Sequence, residues 1–194
     1  MAVEDVKNQQ LNQEIDGLVL GRWLLTEISS WNRDKERLVI LCENNIIICK
    51  YDYVAMKLAS IQRIALKQLK EVHNGNFDYP PNSVSVPRLY KGVRITWGTM
   101  DNQPWYQKWN PLNTDIPFST FTSHPVLALP DLETKEAYDV QSFLSGLKQA
   151  LEKVPNIKYI DNQPIIIESY AGFASYVHNQ SRLGFSRERG GVSF

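Results

Sequence analysis

The arginines near the carboxyl terminus are the residues of this sequence best suited to binding an anion. Residues 182–191, RLGFSRERGG, combine three arginines with three glycines and a serine. This mixture is typical of a phosphate-binding loop, and also of a solvated tail or an RNA-binding arginine-glycine segment. Because Leu183 and Phe185 alternate with polar or small residues, we predict an ordered strand or turn docked on the domain. Arg187 and Arg189 are then predicted to pair mainly with carboxylates, with anion or lipid binding as the alternative.

A second group of cations lies in the segment NRDKER. Arg33, Lys35 and Arg37 stand two residues apart, so an extended segment would place them on one face. Such a face could hold the phosphates of an inositol lipid. Asp34 and Glu36 interleave with the cations, so the alternative is a solvated loop of mild positive charge. A further basic set, open to the same two interpretations, consists of Lys57, Arg63, Lys67 and Lys70.

Candidate residues for nucleophilic or metal-assisted catalysis are few. Cysteine-dependent phosphatases need an arginine six positions after the cysteine, but Ile48 follows Cys42 at that spacing and Ala55 follows Cys49. The chain also has no H-E-x-x-H motif, no C-x-x-C pair and no P-loop, and its Cys and His spacing matches no zinc finger. The sequence therefore predicts a protein without enzymatic activity, cofactor or metal ion. The three histidines are His73, His124 and His178.

The composition limits the classes of partner. The 194 residues include 21 Lys plus Arg and 21 Asp plus Glu, so the net charge is zero. A neutral chain is poorly suited to general nucleic-acid binding, and we predict no nucleic-acid partner. The first residues contain no apolar run, and no stretch approaches the roughly 18 apolar residues of a membrane span. We expect a cytoplasmic protein whose membrane contact, if any, is peripheral.

The clearest structural element in the sequence is the hairpin RLVILCENNIIICKYD. Asn tolerates the left-handed backbone of a tight turn, so the pattern predicts a two-residue turn at Asn44–Asn45. This turn would set Cys42 opposite Ile47 and Cys49 opposite Ile40. The two thiols would then share a face without bridging, as small buried hydrophobes. A change of one residue in the turn would instead place them on opposite faces.

The remaining pattern predicts strands first and helices later. Apolar residues spaced by three and four along 131–154 predict an amphipathic helix: Val140, Phe143, Leu144, Leu147, Leu151 and Val154. Strands are predicted within 18–29, 62–77 (two strands or one bulged strand), 90–98, 118–124 and 162–168, and a second helix within 169–179.

This order predicts an α+β fold. We expect a pleckstrin-homology-like curved antiparallel sheet, a partly open barrel, capped by a carboxyl-terminal amphipathic helix. Residues 1–16 form a polar arm, and 17–194 form the domain. Within the domain, 17–155 hold the sheet and the capping helix, and 156–194 form a strand, helix and tail extension.

Several motifs occur in a recognisable order along residues 17–194. They include WNP at 109–111, the proline at 117 and TFT-x-HP at 120–125. The stretches QPIIIESYAGFASYVHN and RLGFSRERGG follow. In this order they resemble the tumor-protein-p63-regulated (Mover-like) family and its hSac-two homology domain. Only about 16 residues precede the domain here, fewer than in the Mover-like members of the family.

The resemblance implies a function without catalytic residues. Members of this family self-associate, attach peripherally to synaptic vesicles, bind an active-zone scaffold protein and calmodulin, and modulate transmitter release. The expectation for this chain is a homodimerising adaptor on vesicle membranes, presynaptic in neurons. The alternatives are a phosphoinositide-binding module at Arg33, Lys35 and Arg37, or a regulatory partner of a Sac-type inositol phosphatase.

Overall fold

The computed structural model describes residues 11–29, 32, 34–52, 57–79, 86–98 and 116–167. They divide into two compact units. The first unit draws its described residues from 11–26, 36–69 and 122–157. The second draws them from 27–35, 70–98, 116–121 and 158–167. The predicted helix within 169–179 and the arginine-rich stretch 182–191 lie outside the described residues.

The described elements are mostly strands with one main helix. In chain order they are α1 (Gln13–Asp16), β1 (Val19–Ile28), β2 (Asp34–Cys42), β3 (Asn45–Asp52), β4 (Lys57–Ala65), β5 (Glu71–Gly75), β6 (Phe77–Asp78), β7 (Gly92–Thr96), β8 (Phe118–Thr122), α2 (Val140–Ala150), β9 (Lys158–Asp161) and β10 (Ile165–Ile166).

The first unit contains α1, α2 and the strand order β4-β3-β2-β1, with antiparallel pairing of β2 to β3 and of β3 to β4. The last two residues of β1 and the first two of β2 are counted with the second unit. A short 3-10 turn, Leu66–Gln68, follows β4 and separates it from β5, so the predicted two strands within 62–77 are confirmed.

The β2–β3 hairpin has a different turn from the predicted one. Leu38 pairs with Cys49 and Ile40 pairs with Ile47, so the two-residue turn is Glu43–Asn44 rather than Asn44–Asn45. The physical reason is that Asn45 is the first residue of β3, where its buried side-chain amide donates a hydrogen bond to the Asp16 carboxylate of α1. Because the register differs by two residues, each side chain keeps its face, and the predicted shared face of the two thiols is confirmed.

The helix α2 is shorter than the predicted 131–154. Its first residue is Val140 because Asp139 has extended backbone and its Oδ1 accepts a hydrogen bond from the Gln141 amide at 3.1 Å. A 3-10 turn precedes it at Lys135–Tyr138, and another follows at Leu151–Lys153, before Pro155. The predicted apolar face is confirmed by the burial of Val140, Phe143, Leu144, Leu147 and Leu151, while Val154 is only partly buried.

Both faces of the first unit's strands are apolar. On one face, the Trp23 ring meets Phe143 of α2 edge-on at 5.4 Å between centroids, and Trp23 Nε1 donates to Ser142 Oγ at 3.2 Å. The other face carries a buried cluster, which we name the thiol cluster: Leu38, Ile40, Cys42, Ile47 and Cys49. Burial on both faces explains why β2 and β3 read as continuous apolar runs.

The second unit contains the strand order β8-β7-β5-β9 and a separate two-stranded pair of β6 and β10. β5 pairs antiparallel with β7 and parallel with β9, and β6 pairs parallel with β10. Strand β9 was not predicted, because most of its side chains are exposed and carry no apolar alternation. Gly75 at the end of β5 leaves no room for a side chain, since a Cβ there would lie on the Gln163 carbonyl oxygen.

These elements confirm the predicted α+β class, with mostly antiparallel strands and one main helix. Among the described elements, β4 is an edge strand in the first unit and β9 an edge strand in the second. None of the described helices is long and apolar enough to cross a membrane.

Candidate functional site

The predicted cations of NRDKER lie partly on a strand rather than in a loop. Lys35 is exposed and Arg37 is half-buried on β2, and Arg37 Nη1 donates to the Glu36 carbonyl oxygen at 2.8 Å. Arg33, Arg187 and Arg189 lie outside the described residues. The hypothesis of an anion- or lipid-binding site thus retains Lys35 and Arg37 as its described members.

One member of the second basic set has a structural partner. Arg63 Nε lies 3.3 Å from Asp16 Oδ1, and Asp16 is fully buried at the end of α1. Asn45 Nδ2 donates to the same oxygen at 2.9 Å, and Asp16 Oδ2 accepts from the Asn12 amide at 3.0 Å. These contacts hold α1 against β3 and β4. Lys57, Lys67 and Lys70 are exposed.

A buried arginine that sequence analysis did not single out organises the second unit. The Arg88 side chain is only 5% exposed, and its Nη2 lies 2.7 Å from Asp34 Oδ1 and 2.7 Å from Asn32 Oδ1. Arg88 Nη1 donates to the Tyr79 hydroxyl at 3.0 Å, and the guanidinium lies 5.5 Å from the centroid of the Phe77 ring. We name this set the Arg88 clasp. Planar, multidentate contacts of this kind are specific to arginine.

The Arg88 clasp changes the local charge around Lys35. Asp34 was expected to offset the neighbouring cations, but its carboxylate binds the Arg88 guanidinium through Nε at 3.0 Å and Nη2 at 2.7 Å. The carboxylate and the guanidinium therefore neutralise each other. Lys35 is left as exposed positive charge beside the clasp.

The same clasp places apolar side chains in solvent. Val86 is 75% exposed and Leu89 is 81% exposed, the highest values among the large hydrophobic residues of the described ranges. We name Val86, Pro87 and Leu89 the apolar tip. Lys91 follows it and is also exposed. The motif VPRLYK, with one arginine among apolar residues, is the only sequence signal that points to this arrangement.

The two thiols are poor nucleophiles. Cys42 and Cys49 are both free and fully buried in the thiol cluster. The pKa of each thiol is raised to about 11, chiefly by burial, and at Cys42 the nearby Asp16 carboxylate contributes to the rise. At neutral pH both groups are therefore protonated, and the thiol form is the unreactive one.

Ser123 and His124 combine residue types that occur in nucleophilic catalysis, but their contacts are structural. Ser123 Oγ donates to Asp139 Oδ1 at 3.0 Å and accepts from the Val140 amide at 3.0 Å, which caps α2. His124 Nδ1 accepts from the Val126 amide at 3.2 Å. The proton therefore sits on Nε2, which donates to Glu36 Oε1 at 2.9 Å. The imidazole is thus not positioned as a base for the Ser123 hydroxyl.

His73 has a structural contact as well. Its Nε2 lies 3.0 Å from the Gln163 carbonyl oxygen, which accepts the hydrogen bond. Desolvation lowers the pKa of His73, so the ring is neutral at physiological pH. Within the described ranges, no three His, Cys, Asp or Glu side chains come together as potential metal ligands.

Comparison with known proteins gives three similarities. The hSac2 family, described as "Inositol phosphatase", matches residues 1–98. The human "Tumor protein p63-regulated gene 1 protein" is 32% identical over 202 residues, covering 100% of this chain and 72% of the human protein. The solved hSac2 domain of human phosphoinositide phosphatase Sac2 has 15% identity and a TM-score of 0.49, covering 76% of this chain and 79% of the other.

Proposed function

The chain belongs to the tumor protein p63-regulated family and carries an hSac2 domain, and from this membership we propose a non-enzymatic adaptor that forms homodimers on vesicle membranes. The observation that supports the absence of catalysis is the structural use of the reactive groups. Among the described residues, both thiols are buried with a pKa of about 11, and Ser123 and His124 cap or brace the fold. Such groups stabilise a scaffold and do not attack a substrate.

Phosphate release tests the non-enzymatic part. The purified chain is incubated with phosphoinositides in vesicles, and with soluble inositol phosphates, and free phosphate is measured. We expect no release above that of a heat-denatured sample. Release that disappears in the Cys42→Ala/Cys49→Ala variant would contradict the proposal and would identify a thiol-dependent phosphatase.

Light scattering tests the homodimer. We expect a particle of twice the 22.3 kDa chain mass at micromolar concentration. The physical basis is that homo-oligomers most often close as two-fold dimers, in which the same patch of each copy meets. A particle of single-chain mass over the whole concentration range would remove dimerisation from the proposal.

Membrane association and adaptor partners are tested separately. Flotation with vesicles isolated from neurons should carry the chain with the vesicle fraction, and high salt should release a peripheral protein. Affinity capture with the chain as bait should retain an active-zone scaffold protein and, in the presence of calcium, calmodulin. Failure of flotation would remove the membrane from the proposal, whereas failure of capture would remove only these partners.

A second candidate function is regulation of an inositol phosphatase that carries the same kind of domain. The description of the hSac2 family as "Inositol phosphatase" favours it. Co-expression of this chain with such an enzyme, followed by purification through a tag on the chain, should recover a mixed complex. Recovery of homodimers alone would argue against it.

A further inference from the structure

We propose that the apolar tip is the segment of this protein that inserts into an anionic lipid surface, with Lys35 and Lys91 contacting the lipid phosphates. This inference rests on the proposed membrane association and names the surface that makes the contact. It concerns residues of the second unit alone: Val86, Pro87 and Leu89 for insertion, and the two lysines for charge.

The tip is held in place before any ligand arrives. Arg88 lies between Pro87 and Leu89, and its guanidinium binds Asp34, Asn32 and Tyr79 with distances of 2.7 to 3.0 Å. Its backbone amide also donates to the Tyr79 hydroxyl at 3.2 Å. The backbone on both sides of Arg88 is therefore fixed. A pre-ordered segment loses little conformational entropy on binding, so its contacts contribute more of their energy to affinity.

The charge around the tip favours an anionic surface. The charged described residues that flank the tip or its clasp in sequence are Lys35, Arg88 and Lys91 against Asp34 and Asp78, while Glu36, which follows Lys35, accepts a hydrogen bond from His124. Asp34 is neutralised by the clasp, and both lysines are exposed. Each exposed lysine near an anionic bilayer adds attraction that salt weakens.

The shape of the tip favours lipid over a protein groove. Val86 and Leu89 are about three quarters exposed or more, so they project from the surface and do not line a recess. Protein interfaces bury on the order of 1,200 Å² or more around packed central anchors, whereas two projecting aliphatic side chains offer far less. The interfacial region of a bilayer accepts isolated aliphatic side chains flanked by lysine.

Vesicle co-sedimentation is the first test. The full chain is mixed with phosphatidylcholine vesicles, with or without phosphatidylserine, and the double variant Val86→Ser/Leu89→Ser is compared with wild type. The matched control is Leu129→Ser, an apolar side chain 56% exposed in the first unit and followed by Pro130 and Asp131. We expect the double variant to bind phosphatidylserine vesicles roughly tenfold more weakly or worse, and Leu129→Ser to bind normally. All three proteins should unfold at the same temperature, because the changed side chains are exposed.

A fluorescent label gives a second readout that does not depend on affinity. Leu89→Cys is labelled with an environment-sensitive dye; the native thiols are buried with a pKa of about 11 and react slowly, so the label goes to position 89. We expect a blue shift on phosphatidylserine vesicles for Leu89→Cys and no shift for Leu129→Cys.

The outcomes separate the tip from the membrane function. If wild type binds vesicles and the double variant binds equally well, the tip is the wrong surface while membrane association stands, and a protein partner becomes its occupant. If wild type binds no phosphatidylserine vesicle, the inference fails, while flotation with vesicles isolated from neurons decides the proposed membrane association separately. Weaker binding of the double variant together with the blue shift supports the tip.

Discussion

Raising the pH through the titration range of the two buried thiols should destabilise the protein. Cys42 and Cys49 are fully buried in the thiol cluster, and desolvation raises the pKa of each from 9.0 to about 11. Well below pH 9.0 both the folded and the unfolded chain hold these protons, and the thiols contribute no pH dependence. Above that pH the unfolded chain releases its protons first, so the free energy of unfolding falls until about pH 11.

The size of the effect follows from the shift. A difference of one pKa unit is worth about 1.4 kcal/mol, so a rise from 9.0 to about 11 corresponds to roughly 3 kcal/mol for each thiol. The two together amount to about 6 kcal/mol. Small domains are stable by about 5 to 15 kcal/mol, so the loss would be a large part of the total.

Urea unfolding measures this loss of stability. Wild type and Cys42→Ala/Cys49→Ala are each unfolded below pH 9.0 and near pH 11. Lysines and tyrosines titrate in the same range in both proteins, so the difference between the two pH profiles isolates the thiols. The alanine variant is less stable at low pH, because the cluster loses two sulfur atoms, but should lose much less stability as the pH rises.

Parallel pH profiles for the two proteins would refute the reasoning. They would mean that the thiols ionise in the fold as easily as in the unfolded chain. The structural argument against thiol chemistry in this protein would then fail as well.

Three further changes test contacts within one or the other of the two units. Asp16→Ala should lower the free energy of unfolding by about 3 kcal/mol, because the Asn45 and Arg63 side chains lose a buried acceptor. The control Glu14→Ala, on the exposed side of α1, should change it by about 0.5 kcal/mol or less. Equal effects in urea titration would count against the Asp16 contacts. Gly75→Ala should cost about 2 kcal/mol or more, since its Cβ would collide with the Gln163 carbonyl; an unchanged melting temperature would show that this approach is not close. Arg88→Lys should cost about 1 to 3 kcal/mol because an ammonium cannot bind its three partners in one plane, and a neutral result by calorimetry would contradict the clasp.

Local pattern was enough to predict the elements whose burial follows a simple period. The continuous apolar runs on either side of Glu43 and Asn44 predict a hairpin because both its faces are buried. The spacing of three and four from Val140 onward predicts one buried helix face because the period of a helix is 3.6 residues. The ordered motifs likewise predicted the family, which the human relative confirms.

The sequence could not place contacts that join distant segments. The hairpin register was wrong by two residues because Asn45 is drawn into its strand by Asp16, 29 positions earlier. Strand β9 was missed because it pairs through its backbone with β5 while most of its side chains stay exposed, so no apolar period marks it.

By itself, the sequence determined the strands and the helix whose burial follows a simple period, and the family to which the chain belongs, since burial periodicity and ordered motifs are properties of neighbouring residues. Only the tertiary structure decided which charges are available at the surface. Asp34, read from the sequence as a neighbour that offsets Lys35, instead binds Arg88, which follows it by 54 positions. That ion pair fixes the backbone of the apolar tip while Val86 and Leu89 stay exposed. The pairing is needed because a buried guanidinium without partners is costly, and those partners come from distant parts of the sequence.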